Sequence, residues 1–285
     1  MNGQTLYFYG KQADNSEESY KRTMRAFAAH ESLHSIHTSS LPLAQFWFPK
    51  NIDTGNGNLS SISEKLRVVL QTSCERCFEY ATKLPQGCQG KGKSSMTDLM
   101  LLSDKYRVAI EAKFTEYIKD PDYGQTVCEW LECNEDNRDN RKAVLEGWLS
   151  YVEEVMGNER KVKWEEVKGV PYQLLHRIAS ACAISGSQKP VVVYHLFYEE
   201  GKKSRKRKLD KERAYDFAQR LKEWVSGMAL DKVSFYVMIT PLRLSELAYV
   251  AEEDGQLNNL FVQMAEGKKY CEFMPSTVVE CEGVN

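Results

Sequence analysis

Residues Ser94 to Glu116, SSMTDLMLLSDKYRVAIEAKFTE, constrain the fold more than any other stretch of this chain. Leu99, Leu101, Val108, Ile110 and Ala112 recur at alternate positions in two runs rich in apolar and β-branched side chains. That period puts one row of side chains on one face, so each run reads as a half-buried strand. Ser103, Asp104 and Lys105 supply turn chemistry between the runs. With Asp104 and Lys105 as a two-residue loop, Ser103 stands opposite Tyr106, and the register then sets Asp98 opposite Glu111. The hairpin is expected to have one apolar face turned to a core and one charged face.

Directly opposed residues of an antiparallel pair lie about 4.5–5.5 Å apart at Cβ, and like charges so placed weaken the sheet. A divalent cation between Asp98 and Glu111 removes that conflict, and hard carboxylate oxygens suit Mg2+ or Mn2+. Lys113 lies two residues beyond Glu111 on the same face, where it could orient or help deprotonate a metal-bound water. Asp98, twelve intervening residues and Glu111-Ala112-Lys113 together resemble the PD-(D/E)XK motif of the restriction-endonuclease-like nuclease superfamily, with Thr97 where that family often has proline. The resemblance implies metal-dependent hydrolysis of phosphodiester bonds in DNA, endo- or exonucleolytic. It makes Asp98 and Glu111 the metal ligands, Lys113 the partner of the attacking water, and Mg2+ or Mn2+ the cofactor. It also implies that a helix before the motif can lend an acid, which sequence order would draw from Glu75 or Glu79.

The helix expected from Pro171 to about Ile184, with proline in its first turn, occupies the place of the family helix that borders the active site. Gln173 stands where that helix often carries glutamine and is a catalytic candidate. Four residues on, Arg177 replaces the usual tyrosine and could contact a phosphate directly. The net charge of −2 gives no global attraction to nucleic acid, so any DNA site must be a local patch. Two such patches are legible. Lys91 and Lys93 lie in the glycine-bearing lead-in to Asp98, and Lys206 and Arg207 in the basic block from Lys202 to Arg213.

Two other functions compete. A nuclease-like fold could bind nucleic acid without cutting it. A zinc hydrolase is suggested by His30-Glu31-Ser32-Leu33-His34, an HExxH sequence inside a helix expected from Ser16 to about His37. On one helix face the two histidines could bind zinc with Glu31 as general base. Only 29 residues precede His30, however, and the glycine turn and third histidine of the longer metzincin pattern are missing.

The rest of the chain gives an α/β reading: a mixed central sheet flanked by helices, with a restriction-endonuclease-like core. Ser63 to Lys83 has the spacing of a helix, with Leu66, Val69, Leu70, Cys74 and Cys77 recurring at three and four. Lys189 to Tyr198, KPVVVYHLFY, is apolar almost throughout, as in a strand buried within a mixed sheet. The organisation expected is an N-terminal helical segment over 1–60 packed on the core, an α/β core over 61–240 with a helical insertion at 117–170, and a C-terminal extension over 241–285. Trp130, Trp148 and Trp164 are expected to lock the insertion down. The eight cysteines, with no second CxxC beside Cys74 and Cys77, read as thiols. No apolar run is long enough to span a bilayer, and the first residues lack a signal-peptide pattern, so a cytoplasmic location is expected. The expected partner is nucleic acid, DNA before RNA, with no membrane and with a homodimer allowed.

Overall fold

The buried strand Lys189–Glu199 sets the architecture. Every residue after Lys189 in this eleven-residue run is buried, so both of its faces need cover. In the computed structural model that cover is a layer of helices on each side of one sheet. The structure describes residues 6–8, 11–13, 17–30, 33–47, 64–71, 74–88, 96–115, 124–133, 135–157, 160–200, 205–228 and 230–281.

The strands are β1 (Leu6–Phe8), β2 (Lys11–Ala13), β3 (Glu75–Ala81), β4 (Met96–Leu102), β5 (Tyr106–Lys113), β6 (Lys189–Glu199), β7 (Ser234–Leu244), β8 (Cys271–Phe273) and β9 (Thr277–Cys281). They form a nine-stranded sheet in the order β2-β1-β3-β4-β5-β6-β7-β8, with β9 also on β7. The β1–β3, β5–β6 and β6–β7 pairs are parallel, and the others are antiparallel. The fold is α/β with a mixed sheet.

Helices α1 (Glu17–His30), α2 (Ser40–Trp47) and α3 (Glu64–Gln71) cover one face, joined by α9 (Glu246–Glu253) and α10 (Asn259–Ala265) from late in the chain. The other face carries α4 (Val127–Glu132), α5 (Arg138–Met156), α6 (Trp164–Val167), α7 (Tyr172–Cys182) and α8 (Arg205–Gly227). In α7 every residue from Leu174 to Cys182 is buried. Each aliphatic side chain so buried contributes about 1.5–3 kcal/mol, so this helix is firmly seated on β5 and β6. No helix among the described residues is long and apolar enough to cross a membrane.

Four expectations change. The stretch read as one helix from Ser63 to Lys83 is α3 followed by β3, and Cys77 lies in the strand rather than on a helix face. Strand β3 is buried on both sides over Arg76, Cys77 and Phe78, so it shows no alternation, and its apolar residues happen to continue the helical spacing. The hairpin is likewise covered twice, with Leu99 and Ile110 in one core and Met100 and Ala109 in the other. The terminal segments supply strands as well as helices: β1 pairs with β3, and β8 and β9 pair with β7. Of the three tryptophans, Trp148 is buried and Trp130 stacks on Tyr172, but Trp164 is exposed.

Candidate active site

The turn between β4 and β5 is built by Ser103. Its N–H donates to the Tyr106 carbonyl at 3.0 Å, and its Oγ accepts from the N–H groups of Tyr106 and Lys105 at 3.0 and 3.3 Å. This closes Asp104-Lys105 as a two-residue loop and fixes Leu101 opposite Val108 and Leu99 opposite Ile110. The next level is Asp98 and Glu111, and there the ladder stops. The Ala112 N–H donates to Asp98 Oδ2 at 2.8 Å, so a side chain takes a bond made elsewhere by backbone. The β3–β4 ladder also skips this level, between Phe78↔Leu99 and Tyr80↔Thr97. The residue that would face Asp98 there, Glu79, has a left-handed φ of 49°, rare for a side chain other than glycine. Asp98 therefore sits where the sheet is opened on both sides.

Helix α7 brings the other half of the site. Pro171 starts it, and Gln173 and Arg177, four residues apart, share the face turned to β5. Gln173 Nε2 and Lys113 Nζ each donate to Glu111 Oε1 at 2.6 Å, and Arg177 Nε donates to Glu111 Oε2. Arg177 Nη2 lies 3.5 Å from Asp98 Oδ1, so one guanidinium bridges both carboxylates. Its remaining arm, Nη1, donates to His176 Nδ1 at 2.7 Å. Arginine can only donate, so Nδ1 accepts and the proton of His176 lies on Nε2, facing Ser180 Oγ at 3.3 Å. Trp148 meets the His176 ring edge-on and hydrogen-bonds Tyr172, which stacks on Trp130. The arginine is thus held from behind by a packed aromatic group.

Asp98, Glu111, Lys113, Gln173 and Arg177, drawn from two strands and one helix, meet on one face of the sheet. The Glu111 side chain is 0% exposed and that of Arg177 4%, while those of Lys113 and Asp98 retain 12% and 24%. The site opens to solvent on the Asp98 side. Burial drives the Glu111 carboxyl up, but the Arg177 and Lys113 charges outweigh it and hold the group below its ordinary value. Asp98 goes the other way, to about 7, pushed by burial and by the Glu111 charge against the pull of Arg177 and Lys113. Two neighbouring carboxylates with separated proton affinities are a recurrent feature of reactive sites.

Sequence reasoning missed two contributors. Tyr194 on β6 pairs with Glu111 on β5 and lies in the core on the α7 side. Its hydroxyl is buried without a hydrogen-bond partner, and burial followed by the Glu111 charge raises it well above the ordinary tyrosine value. Only the β5–β6 register identifies it, because within KPVVVYHLFY it looks like one more core aromatic. His176 was hidden in the same way inside a buried helix.

Lys91 and Lys93 lie outside the described residues. Lys206 and Arg207 fall in the first turn of α8. Arg177, expected to meet a phosphate, is turned inward onto the carboxylates. In the HExxH stretch α1 ends at His30, and the chain is not helical from Leu33 to Ser39, so His30 and His34 are not one turn apart on a helix. The apolar spacing persists there because Leu33 and Ile36 are buried from an irregular segment, with the Ile36 carbonyl accepting from the Tyr270 hydroxyl. His37 pairs instead with Glu199 at 3.1 Å.

A sequence profile described as a domain of unknown function (DUF6946) matches residues 17–241. The chain belongs to this family. The matched span holds all five clustered residues of this family member, with Tyr194 and His176. Comparison with curated proteins and with solved structures gave no match.

Proposed function

We propose that this protein is a metal-dependent nuclease that hydrolyses phosphodiester bonds of DNA. One observation carries the reading: the residues singled out by the PD-(D/E)XK resemblance, Asp98, Glu111 and Lys113, together with Gln173, converge on one face although they come from three elements. The order helix α3, motif hairpin β4–β5, helix α7, strand β6 agrees with the core implied by that resemblance.

The donor set fits a hard divalent cation. Two carboxylates from adjacent strands already converge on one positive group, and their oxygens suit Mg2+ or Mn2+. Such ions are commonly held by one or two carboxylates, with water and substrate phosphate completing the shell. Among the described residues no group of three or more His, Cys, Asp or Glu side chains could hold an ion, so here water and substrate phosphate would have to supply the rest of the shell. Asp98 and Glu111 would hold the ion, which when bound would supply a more acidic water and neutralise phosphate charge. Gln173 fixes Glu111 Oε1, and the Lys113 ammonium beside that oxygen would orient the attacking water, whose proton would pass to neighbouring solvent. The sequence of α8 opens with a block rich in Lys and Arg soon after Glu199, the end of β6 on the Lys113 side, and would supply charge for the nucleic-acid backbone.

The test is cleavage of plasmid, linear and single-stranded DNA with Mg2+ or Mn2+ by wild type, Asp98→Ala and Glu111→Ala. Cleavage by wild type and a loss of at least about 100-fold in both variants is expected. An unchanged nicking rate in Asp98→Ala would sink the assignment. A catalytically silent nucleic-acid-binding module is the second reading, favoured by the fact that Arg177 and Lys113 already neutralise the two carboxylates. Retention of DNA by Glu111→Ala, with no cleavage by any form of the protein, would establish it.

A further inference from the structure

We infer that Arg177 is a resident cation of the Asp98–Glu111 pair, which a divalent ion must displace, so that metal and nucleic acid bind the site cooperatively. The inference rests on the nuclease reading and concerns how that same site is loaded.

The geometry supports it at three points. First, the guanidinium lies where the two carboxylates converge: Nε binds Glu111 Oε2 and Nη2 faces Asp98 Oδ1 at 3.5 Å. Two negative groups are matched by two positive ones, Arg177 and Lys113, before any ion arrives. An ion entering between the carboxylates meets a site with no net charge to attract it and a guanidinium in its way. Second, Arg177 is 3% exposed and tethered through Nη1 to His176, so it does not drift off its anions spontaneously. Moving a buried arginine away from its carboxylates costs free energy unless another anion receives it. Third, the way out is on one side. Asp98 is the most exposed of the four charged members of the cluster, so a phosphate can approach along the Asp98 edge, toward the Nη2 arm whose contact is the longest.

A phosphodiester offers Arg177 a bidentate partner to replace the carboxylates. Once the fork turns to it, the guanidinium no longer balances the charge of Asp98 and Glu111, and the pair can hold the divalent ion. By linkage, nucleic acid then raises metal affinity and metal raises nucleic-acid affinity by the same factor. Lys113 remains on Glu111 and keeps the site from becoming an unspecific cation trap in the absence of substrate.

The experiment is Mn2+ binding by titration calorimetry on the full chain. Wild type, Arg177→Gln and His176→Phe are compared, each with and without a short phosphorothioate oligonucleotide that resists cleavage. Thermal unfolding with and without Mn2+ is followed in parallel. Arg177→Gln alone should bind Mn2+ about tenfold or more tightly than wild type alone, and the oligonucleotide should tighten Mn2+ binding to wild type by a similar factor but not to Arg177→Gln. His176→Phe, which removes the tether and the contact with Ser180 but leaves Arg177 in place, should fall between them, and it keeps the test open if Arg177→Gln folds poorly. Mn2+ should raise the melting temperature of Arg177→Gln more than that of wild type. Equal Mn2+ affinity in all three proteins, with DNA still cleaved by wild type, overturns the inference and leaves the nuclease reading standing. No Mn2+ binding by any of them, with or without oligonucleotide, overturns both.

Discussion

Tyr194 and His195 are neighbours on β6, and each belongs to a buried polar cluster on a different face of the sheet. Behind His195, the Trp47 indole N–H donates to Nδ1 at 3.0 Å, Nε2 meets Thr240 Oγ1 at 2.7 Å, and Thr240 meets Ser276 at 2.6 Å. The indole only donates, so His195 is neutral, with its proton directed at Thr240. Phe46 and Phe197 close the ring against it. This cluster is uncharged, bonded at each heteroatom of the imidazole, and sealed. The cluster beside Tyr194 holds four charges, an orphaned hydroxyl and an opening at Asp98. In one sheet, the first arrangement fixes the packing of α2 on the strands, while the second leaves the Tyr194 hydroxyl without a partner and the Asp98 carboxylate partly exposed.

That contrast can be tested by breaking each cluster. Glu111→Gln leaves Arg177 and Lys113 without their buried anion and should cost about 3–5 kcal/mol in urea unfolding. Thr240→Val removes the neutral partner of the His195 Nε2–H and of the Ser276 hydroxyl and should cost about 1–3 kcal/mol. If the second loss equals the first, charge is not what distinguishes the two faces.

Acid separates them further. Burial holds His176 and His195 well below 6.5, and for His176 the Arg177 charge adds to it. The unfolded chain therefore binds protons that the folded one refuses, and each histidine contributes stability that is full above pH 6.5 and declines as pH falls below it. Asp98 works in the opposite direction, since its folded value of about 7 lies above the ordinary 3.8 and the fold gains from protonating it as pH falls through 7. Melting temperature should therefore fall more steeply between pH 6.5 and 5 in Asp98→Asn than in wild type. Parallel curves would mean that Asp98 titrates as an ordinary surface carboxylate. The smallest effect is expected from Tyr194→Phe, which removes a buried unpartnered hydroxyl and should stabilise the fold by about 1 kcal/mol. A loss of stability would show that the hydroxyl has a partner, such as an enclosed water.

The site could be anticipated from sequence because its determinants are local. Ser103 and the two residues after it set the hairpin register, and the register alone opposes Asp98 to Glu111. The four-residue spacing of Gln173 and Arg177 put them on one helical face before any fold was known. What failed depended on contacts distant in sequence. Strand β3 lost its alternation because both faces are covered, Phe78 in one core and Cys77 in the other, and the second core draws its helices from far along the chain. Strand β8 is three residues long and is held by its pairing with β7, so it carries no pattern of its own. The inward turn of Arg177 was also beyond reach, since it depends on the open side of the cluster and on His176 behind it.

Those short outer strands matter for anyone handling a piece of this protein. The span common to the family, 17–241, omits β1 and β2 at one side of the sheet and β8 and β9 at the other. A fragment cut to that span would leave the backbone N–H and C=O groups of β3 and β7 facing solvent as two raw borders, each a template for pairing with another chain. Such a fragment should self-associate or precipitate even with every residue of the site present, and its silence in an assay would say nothing about the chemistry of the intact protein.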